Sequence, residues 1–446
     1  MPMEPWIFLS QPLESIMGDF QRTFDAWEAG GIRGIVVGRL IFQDENGQQM
    51  VPFTSNPDVF EQYGVDPPDE RPPNKELEKQ FRAMLQDASK RGWHIMVFAP
   101  ESSGASTTTL SLDKDPYGGI AKAARMRDAM EAFPEVHGGI MDGPAEHSYE
   151  LQFHHGGEAF AFPDYIKGQA EALGYDVPRI QKAYDHLKNR FQNLSQSLVR
   201  FHACGGALGS IALFDINEDV IYWQGFRQDV TQGHIRSVSE NLNRFGRRLE
   251  LGAIFRSPAF TMQNASDYLE NVKHLDYVFP KHYFWHRGFD GMYGTVARWV
   301  KQIADWNPAL TEEDCFAVVK AWFGLELPGV NSLWDMELAF PDEFFDEIVT
   351  SETRRALAIT DDPEKIIAWV STGRDPHWGD QMPVRDLYRI LVASEKAGLK
   401  RFLFHSSAIL GASEWTVLSK MFGQQWDEDQ DGYWPPESHK PKETSG

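Results

Sequence analysis

The chain has 446 residues, 42% of them hydrophobic and 13% aromatic, with a formal net charge of −22 from 43 Lys and Arg against 65 Asp and Glu. That balance excludes the basic footprint that a nucleic-acid backbone or an anionic membrane surface requires of a partner. Two cysteines, Cys204 and Cys315, are too few for a disulfide scaffold and read as two buried free thiols.

Short apolar runs alternate with longer amphipathic segments along the chain. The first run is Trp6–Leu9, followed by a helical pattern over Leu13–Ala29 that Gly30-Gly31 stops. The second, Ile35–Gly38 continuing to Phe42, leads into a polar Pro-rich loop, Pro52–Pro73, and a helix over Asn74–Arg91. The third is His94–Phe98, with a Ser/Thr-rich loop and a helix over Gly119–Ala132 behind it. The fourth is Gly138–Met141, followed by a long loop, Asp142–Pro163, and helices from Pro163 to Ala203.

The fifth run is Leu249–Phe255, with a helix over Ala265–His274. The sixth is Tyr277–Pro280, with a helix over Gly291–Trp306. Ile366–Val370 is the seventh, with a helix over Pro383–Lys396, and Arg401–His405 is the eighth. Ala207–Ile216 fits a strand as well as a helix, because a short apolar run carries no decisive period. Phe316–Leu325 is assigned to a helix, since Thr311-Glu312-Glu313-Asp314 is a helix start. Asn331–Asp361 reads as a loop and helix elaboration.

Eight apolar strands, most followed by a helix, predict an α/β fold: a (β/α)8 TIM barrel with long mouth loops and helical elaborations. The expected organisation is one elaborated barrel over 1–426 and a polar C-terminal tail over 427–446. No apolar run reaches about 18 residues, so a soluble protein is expected. It is cytoplasmic as numbered, or secreted or periplasmic if a signal peptide was removed.

In such a barrel the chemistry sits where the strands end. Here the ends offer Arg39, Glu101, Asp142, Arg256, Lys281, His282, Tyr283, Arg374, Asp375 and His405. The fourth-strand segment, Gly138-Gly139-Ile140-Met141-Asp142-Gly143-Pro144-Ala145-Glu146-His147, holds an Asp on rigid backbone, with Glu146 four residues on and Glu150 four further. Glycosidic hydrolysis needs two carboxyl groups, one to protonate the leaving oxygen and one to attack or to activate water. Asp142 with Glu146 or Glu150 supplies such a pair. Trp285, beside Lys281, His282 and Tyr283, offers a face on which a sugar ring can stack.

The GGIMDGPAEH segment resembles the fourth-strand signature of several (β/α)8 glycoside hydrolases. These include the hypothetical glycoside hydrolase group related to α-amylase- and α-galactosidase-type barrels. The resemblance is strong over about ten residues and otherwise rests on strand order. It implies a nucleophile at Asp142. Such families often place the acid/base after a later strand, yet here the sixth strand is followed by no carboxylate until Asp290. Glu146, Glu101 or Asp375 then supplies the acid, or the chemistry differs.

The expected activity is therefore that of a carbohydrate-active hydrolase. Its substrate is an oligosaccharide, polysaccharide or glycoside held by Arg39, Arg256, Lys281, His282, Tyr283, Trp285, Asp375 and His405. Two further readings stand beside it. His147, His154, His155, His282, His286 and His405, with Asp142, Glu146 and Glu158, could ligate Zn²⁺ or Mn²⁺ in a metal-dependent hydrolase, lyase or isomerase, although no compact H-x-H or H-E-x-x-H motif is present. A barrel without its acid could bind sugar without cleaving it. No phosphate loop, dinucleotide fingerprint or nucleophile elbow occurs, and no cofactor is expected. Glu326 and the group Asp215, Glu218 and Asp219 would matter only if their regions formed strands.

Overall fold

The computed structural model describes residues 3–9, 14–38, 40, 42–43, 49–67, 73–98, 110–142, 157–261, 263–284, 291–338, 340–371, 384–404 and 412–426. Among these, eight parallel strands close into a barrel. They are β1 (Glu4–Leu9), β2 (Gly34–Val37), β3 (His94–Phe98), β4 (Gly138–Asp142), β5 (Glu250–Arg256), β6 (Tyr277–His282), β7 (Ile367–Val370) and β8 (Arg401–Phe404). Each pairs with its neighbours in sequence, and β8 closes on β1 with Phe404 opposite Ile7. These are the eight runs expected. Phe42, read as the end of the second strand, lies instead in a small antiparallel ladder, Phe42–Gln43 against Gln49–Met50.

The period of two along each strand divides the apolar residues between two cores. Trp6, Phe8, Val36, Met96, Phe98, Ile140, Ile254, Phe279, Ile367, Trp369 and Leu403 fill the barrel interior. Their sequence neighbours, such as Ile7, Ile35, Val97, Met141, Phe255, Val278, Ala368 and Phe402, face the helices. Both faces are buried, so the strands read as continuous apolar runs without alternation. Large interior side chains need small partners. A Cβ at Gly252 would come within 2.6 Å of the Phe279 ring, and one at Gly34 within 2.6 Å of the Trp6 ring.

The outer layer includes α1 (Phe20–Ala29), α2 (Lys75–Lys90), α3 (Gly119–Glu131), α4 (Val177–Phe191), α5 (Glu218–Leu242), α6 (Met292–Trp306), α7 (Glu312–Phe323), α8 (Val384–Ala397) and α9 (Ala412–Phe422). α2 shows how sequence sets such a helix. The Asn74 side chain accepts from the amides of Glu76 and Leu77, and Leu77, Phe81, Met84, Leu85 and Ala88 form the buried stripe. In α7, Thr311 and Asp314 form the reciprocal cap that the sequence signals, and Gly324 ends the helix in the left-handed region.

Several boundaries differ from expectation for identifiable reasons. The first helical pattern breaks at Gly18-Asp19 into Glu14–Met17 and α1. The Pro-rich loop contains a helix, Pro57–Tyr63, with Asn56 as cap and Pro57 in its first turn. Ala265 has a φ of 58°, so the following helix starts only after the Asp267 cap, at Tyr268. Ala207–Ile216 is helical, over Gly206–Phe214. The 25-residue α5, packed on α3 and α4, was not anticipated at all. The cysteines are free thiols, but only Cys315 is buried; Cys204 is exposed.

At the N-terminal end of the barrel a polar cluster closes the interior. Trp6 and His94 stack at 4.9 Å, and His94 and His137 at 4.2 Å. Glu250 meets His94 Nε2 at 2.7 Å, and Trp6 Nε1 donates to Glu4 at 2.8 Å. Arg401 pairs with Glu4 and Glu364. No helix among the described residues is long and apolar enough to cross a membrane.

Candidate active site

At the opposite end the strand register decides which polar groups reach the mouth. On β4, Ile140 faces inward, and Asp142, two residues on, shares that face. On β6 the inward positions are Tyr277, Phe279 and Lys281. Alternate strands contribute side chains to the same interior layer. Lys281 accordingly reaches past β5 to Asp142, with Nζ 3.3 Å from Oδ1. The lysine side chain is 9% exposed and the carboxylate 44%, so a buried ammonium orients a carboxylate that stays open to the mouth. Around the lysine, Trp369 is its partner across β7, and the Tyr283 ring lies 5.9 Å from that of Trp369, edge to face.

Arg256 lies opposite Lys281 in the β5–β6 register, but its guanidinium is buried. It donates to the Thr295 hydroxyl at the start of α6 and sits 4.7 Å above the Phe260 ring. The Arg256 carbonyl accepts from the Tyr268 hydroxyl, and the Ser257 hydroxyl donates to the Lys281 carbonyl. Arg256 thus ties the strand end to the helix layer.

His282 lies on the outer face of β6, fully buried, its ring centroid 5.1 Å from that of Phe284. Neither ring nitrogen has a hydrogen-bond partner among the described residues. Burial without compensation pushes its pKa down to about 3, so the imidazole is neutral at physiological pH. Lys281 and His282 are adjacent in sequence, but one faces the mouth and the other the wall.

Two carboxylates near this quadrant carry no sequence motif. Glu337, in the excursion between β6 and β7, accepts from the Tyr293 hydroxyl. The amides of Met292 and Tyr293 donate to the carbonyls of Tyr283 and Phe284, so this pair stands against the end of β6. Glu352 is buried. It accepts from the Ala259 amide at 2.7 Å and pairs with Arg355 at 2.8 Å, and burial raises its pKa. It braces the turn after β5.

Arg39, Glu101, Glu146, Glu150, Trp285, Arg374, Asp375 and His405 lie outside the described residues, as do His147, His154, His155, His286 and the tail 427–446. Of the metal-ligand set, Glu158 is exposed and bound to Lys188 at 2.7 Å. No group of three potential ligands occurs among the described residues. Asp219, in the first turn of α5, pairs with Arg179 and Lys182, and Asp215 ends the helix before it. Glu326 follows a helix, so the strand that would have given it a site is absent there.

No protein-family model and no curated protein matches the chain. Among solved structures it is similar to a GH18 chitinase from Pseudoalteromonas aurantia, with 9% identity and a TM-score of 0.40 over 95% of this chain and 100% of that one. It is also similar to the β-amylase catalytic domain of Paenibacillus polymyxa, with 12% identity and a TM-score of 0.43 over 95% and 97%. A Streptomyces cattleya GH5_18 protein in complex with GlcNAc shows 12% identity and a TM-score of 0.42 over 91% and 71%. The names attached to these neighbours are those of glycoside hydrolases, and at these identities the likeness is one of chain course.

Proposed function

We propose that the chain hydrolyses glycosidic bonds at the C-terminal mouth of the barrel. The observation that carries this reading is the Asp142–Lys281 pair: an open carboxylate on a rigid strand end, oriented by a buried ammonium. As the anionic member of an ion pair, Asp142 suits attack on an anomeric carbon, or stabilisation of an oxocarbenium-like transition state. It does not suit proton donation. A second carboxyl group protonates the leaving oxygen, and Glu146 is the proposed donor, with Glu101 and Asp375 as the other candidates. The resemblance of the GGIMDGPAEH segment supports the same role for Asp142.

Within this reading Lys281 is a positioning residue that orients the Asp142 carboxylate at the mouth. A panel of aryl glycosides and oligosaccharides, assayed with wild type and Asp142→Asn, tests the proposal. Hydrolysis by wild type that the substitution abolishes is the expected result. Sugar binding without hydrolysis anywhere in the panel, or turnover indifferent to Asp142→Asn, would overturn it.

A further inference from the structure

We propose that the stacked pair His94–His137 is an acid-operated latch at the base of the barrel, opened when a proton reaches His137 Nδ1. His137 directly precedes β4 and fastens it on both sides. Its amide donates to the Ile95 carbonyl at 2.8 Å, and its carbonyl accepts from the Glu250 amide at 3.1 Å. A third bond runs through the ring. Nδ1 accepts from the Ile95 amide at 3.1 Å, so the neutral ring carries its proton on Nε2. An imidazolium has an N–H at both positions and would set donor against donor there. Ile95 is fully buried, so its amide then becomes a buried donor deprived of that acceptor, unless the strands part and admit water.

A charge on His137 also meets an unfavourable field. Its ring lies 4.2 Å from that of His94, which is itself stacked on Trp6 at 4.9 Å. Glu250 stands 2.7 Å from His94 Nε2, so its carboxylate answers the inner ring of the pair. The other charged groups of the floor are engaged elsewhere. Glu4 accepts from Trp6 and pairs with Arg401, which also binds Glu364, and Arg248 binds Asp276 at 2.6 Å. Arg33 donates to the carbonyls of Glu28 and Ile32. Arg247, near Glu131 and Glu135, donates to those of Met130 and Phe133 and adds a positive charge beside His137. The Tyr277 ring closes the inner side, edge to face with His94. The outer edge of His137 is open to solvent, so protons reach it, yet partial burial and then the His94 charge hold its pKa below the ordinary histidine value. The open base therefore binds the proton more tightly than the closed one, and acid favours opening. β4 carries Asp142 at its far end, so an open base loosens the support of the candidate nucleophile, a consequence that rests on the hydrolytic reading.

Hydrogen exchange of the full chain between about pH 7 and pH 4.5, corrected for the intrinsic pH dependence, tests the latch. Protection of the β3 amides, Ile95 above all, should fall by up to about tenfold per pH unit below about 6.5, the slope of one proton, while the β8 amides stay protected. His137→Asn keeps an acceptor that cannot charge and should abolish the fall. The imidazole ¹⁵N shifts of wild type give a reading that needs no variant. Nδ1 of His137 should be unprotonated at neutral pH and should take up its proton in step with the loss at Ile95. Protection that holds while His137 titrates, that fails in β8 to the same extent, or that falls equally in His137→Asn would overturn the proposal. None of these readouts requires turnover, so they decide the latch even where the hydrolytic reading fails. Where turnover is found, His137→Asn should keep at acid pH the kcat that wild type loses.

Discussion

At the N-terminal end of the barrel Glu250 is held by His94, Trp6 and Arg401 bind Glu4, and two stacked imidazoles and the Tyr277 ring close the floor. At the C-terminal end Lys281 binds Asp142, which remains 44% exposed. Both ends place charged residues on inward-facing strand positions. At the base the charges are answered by rings and ion pairs within the barrel, and burial with the nearby Glu250 charge pushes Tyr277 up to about 12. At the mouth the carboxylate keeps a side open to solvent. A polar strand end is a candidate site where it remains accessible; polarity alone marks only where the apolar run stops.

Asp142→Asn should reduce kcat on the best glycan by a thousandfold or more, on the order expected for loss of a nucleophile, with little change in melting temperature. Trp6→Ala should do the opposite. It removes a fully buried ring at the floor and should cost about 3–5 kcal/mol in unfolding free energy, while activity per folded molecule stays constant. Equal damage to activity from the two variants would abolish the distinction between the ends.

His282 stands at the mouth end of β6 yet belongs to the wall. Its folded pKa lies below the unfolded value, so unfolding takes up a proton and stability falls as pH drops from 6.5 toward about 3. Between pH 6.5 and pH 4 the loss should be on the order of 3 kcal/mol, and His282→Leu should flatten that part of the curve measured by chemical denaturation. His137 and Glu250 at the base are also shifted down and act in the same direction, His137 below pH 6.5 and Glu250 below pH 4.5. The slope that survives in His282→Leu reports on them. The smallest effect expected is that of Lys281→Met, about a hundredfold in kcat/KM through misorientation of Asp142. A loss confined to KM would instead make Lys281 a substrate contact.

Much of the barrel could be read from the chain. Strands buried on both faces are continuous apolar runs, and His94–Phe98 needed no adjustment at either end. The helix starts capped by Asn74 and Thr311 were equally clear, whereas those capped by Asn56 and Asn217 were missed. Gly206–Phe214 was ambiguous because a short helix apolar on every side has no period to distinguish it from a strand. At the mouth, Asp142 was legible as a carboxylate ending an apolar strand. The different destinations of Lys281 and His282 were not, because Pro280 was read as the end of the strand. Pro lacks an N–H and ordinarily marks such an end. Here the strand runs on, and Pro280 pairs opposite Phe255. Glu337 gave no signal, since its meeting with Tyr293 joins residues 44 apart in sequence.

The number and order of the strands and the overall acidity follow from the chain alone, because hydrophobic period and charge are local properties. Tertiary structure alone decided which polar residues meet. Whether Lys281 faces Asp142, Arg256 the helix layer or His282 the wall depends on strand register and barrel closure, and a shift of one residue would exchange the two faces.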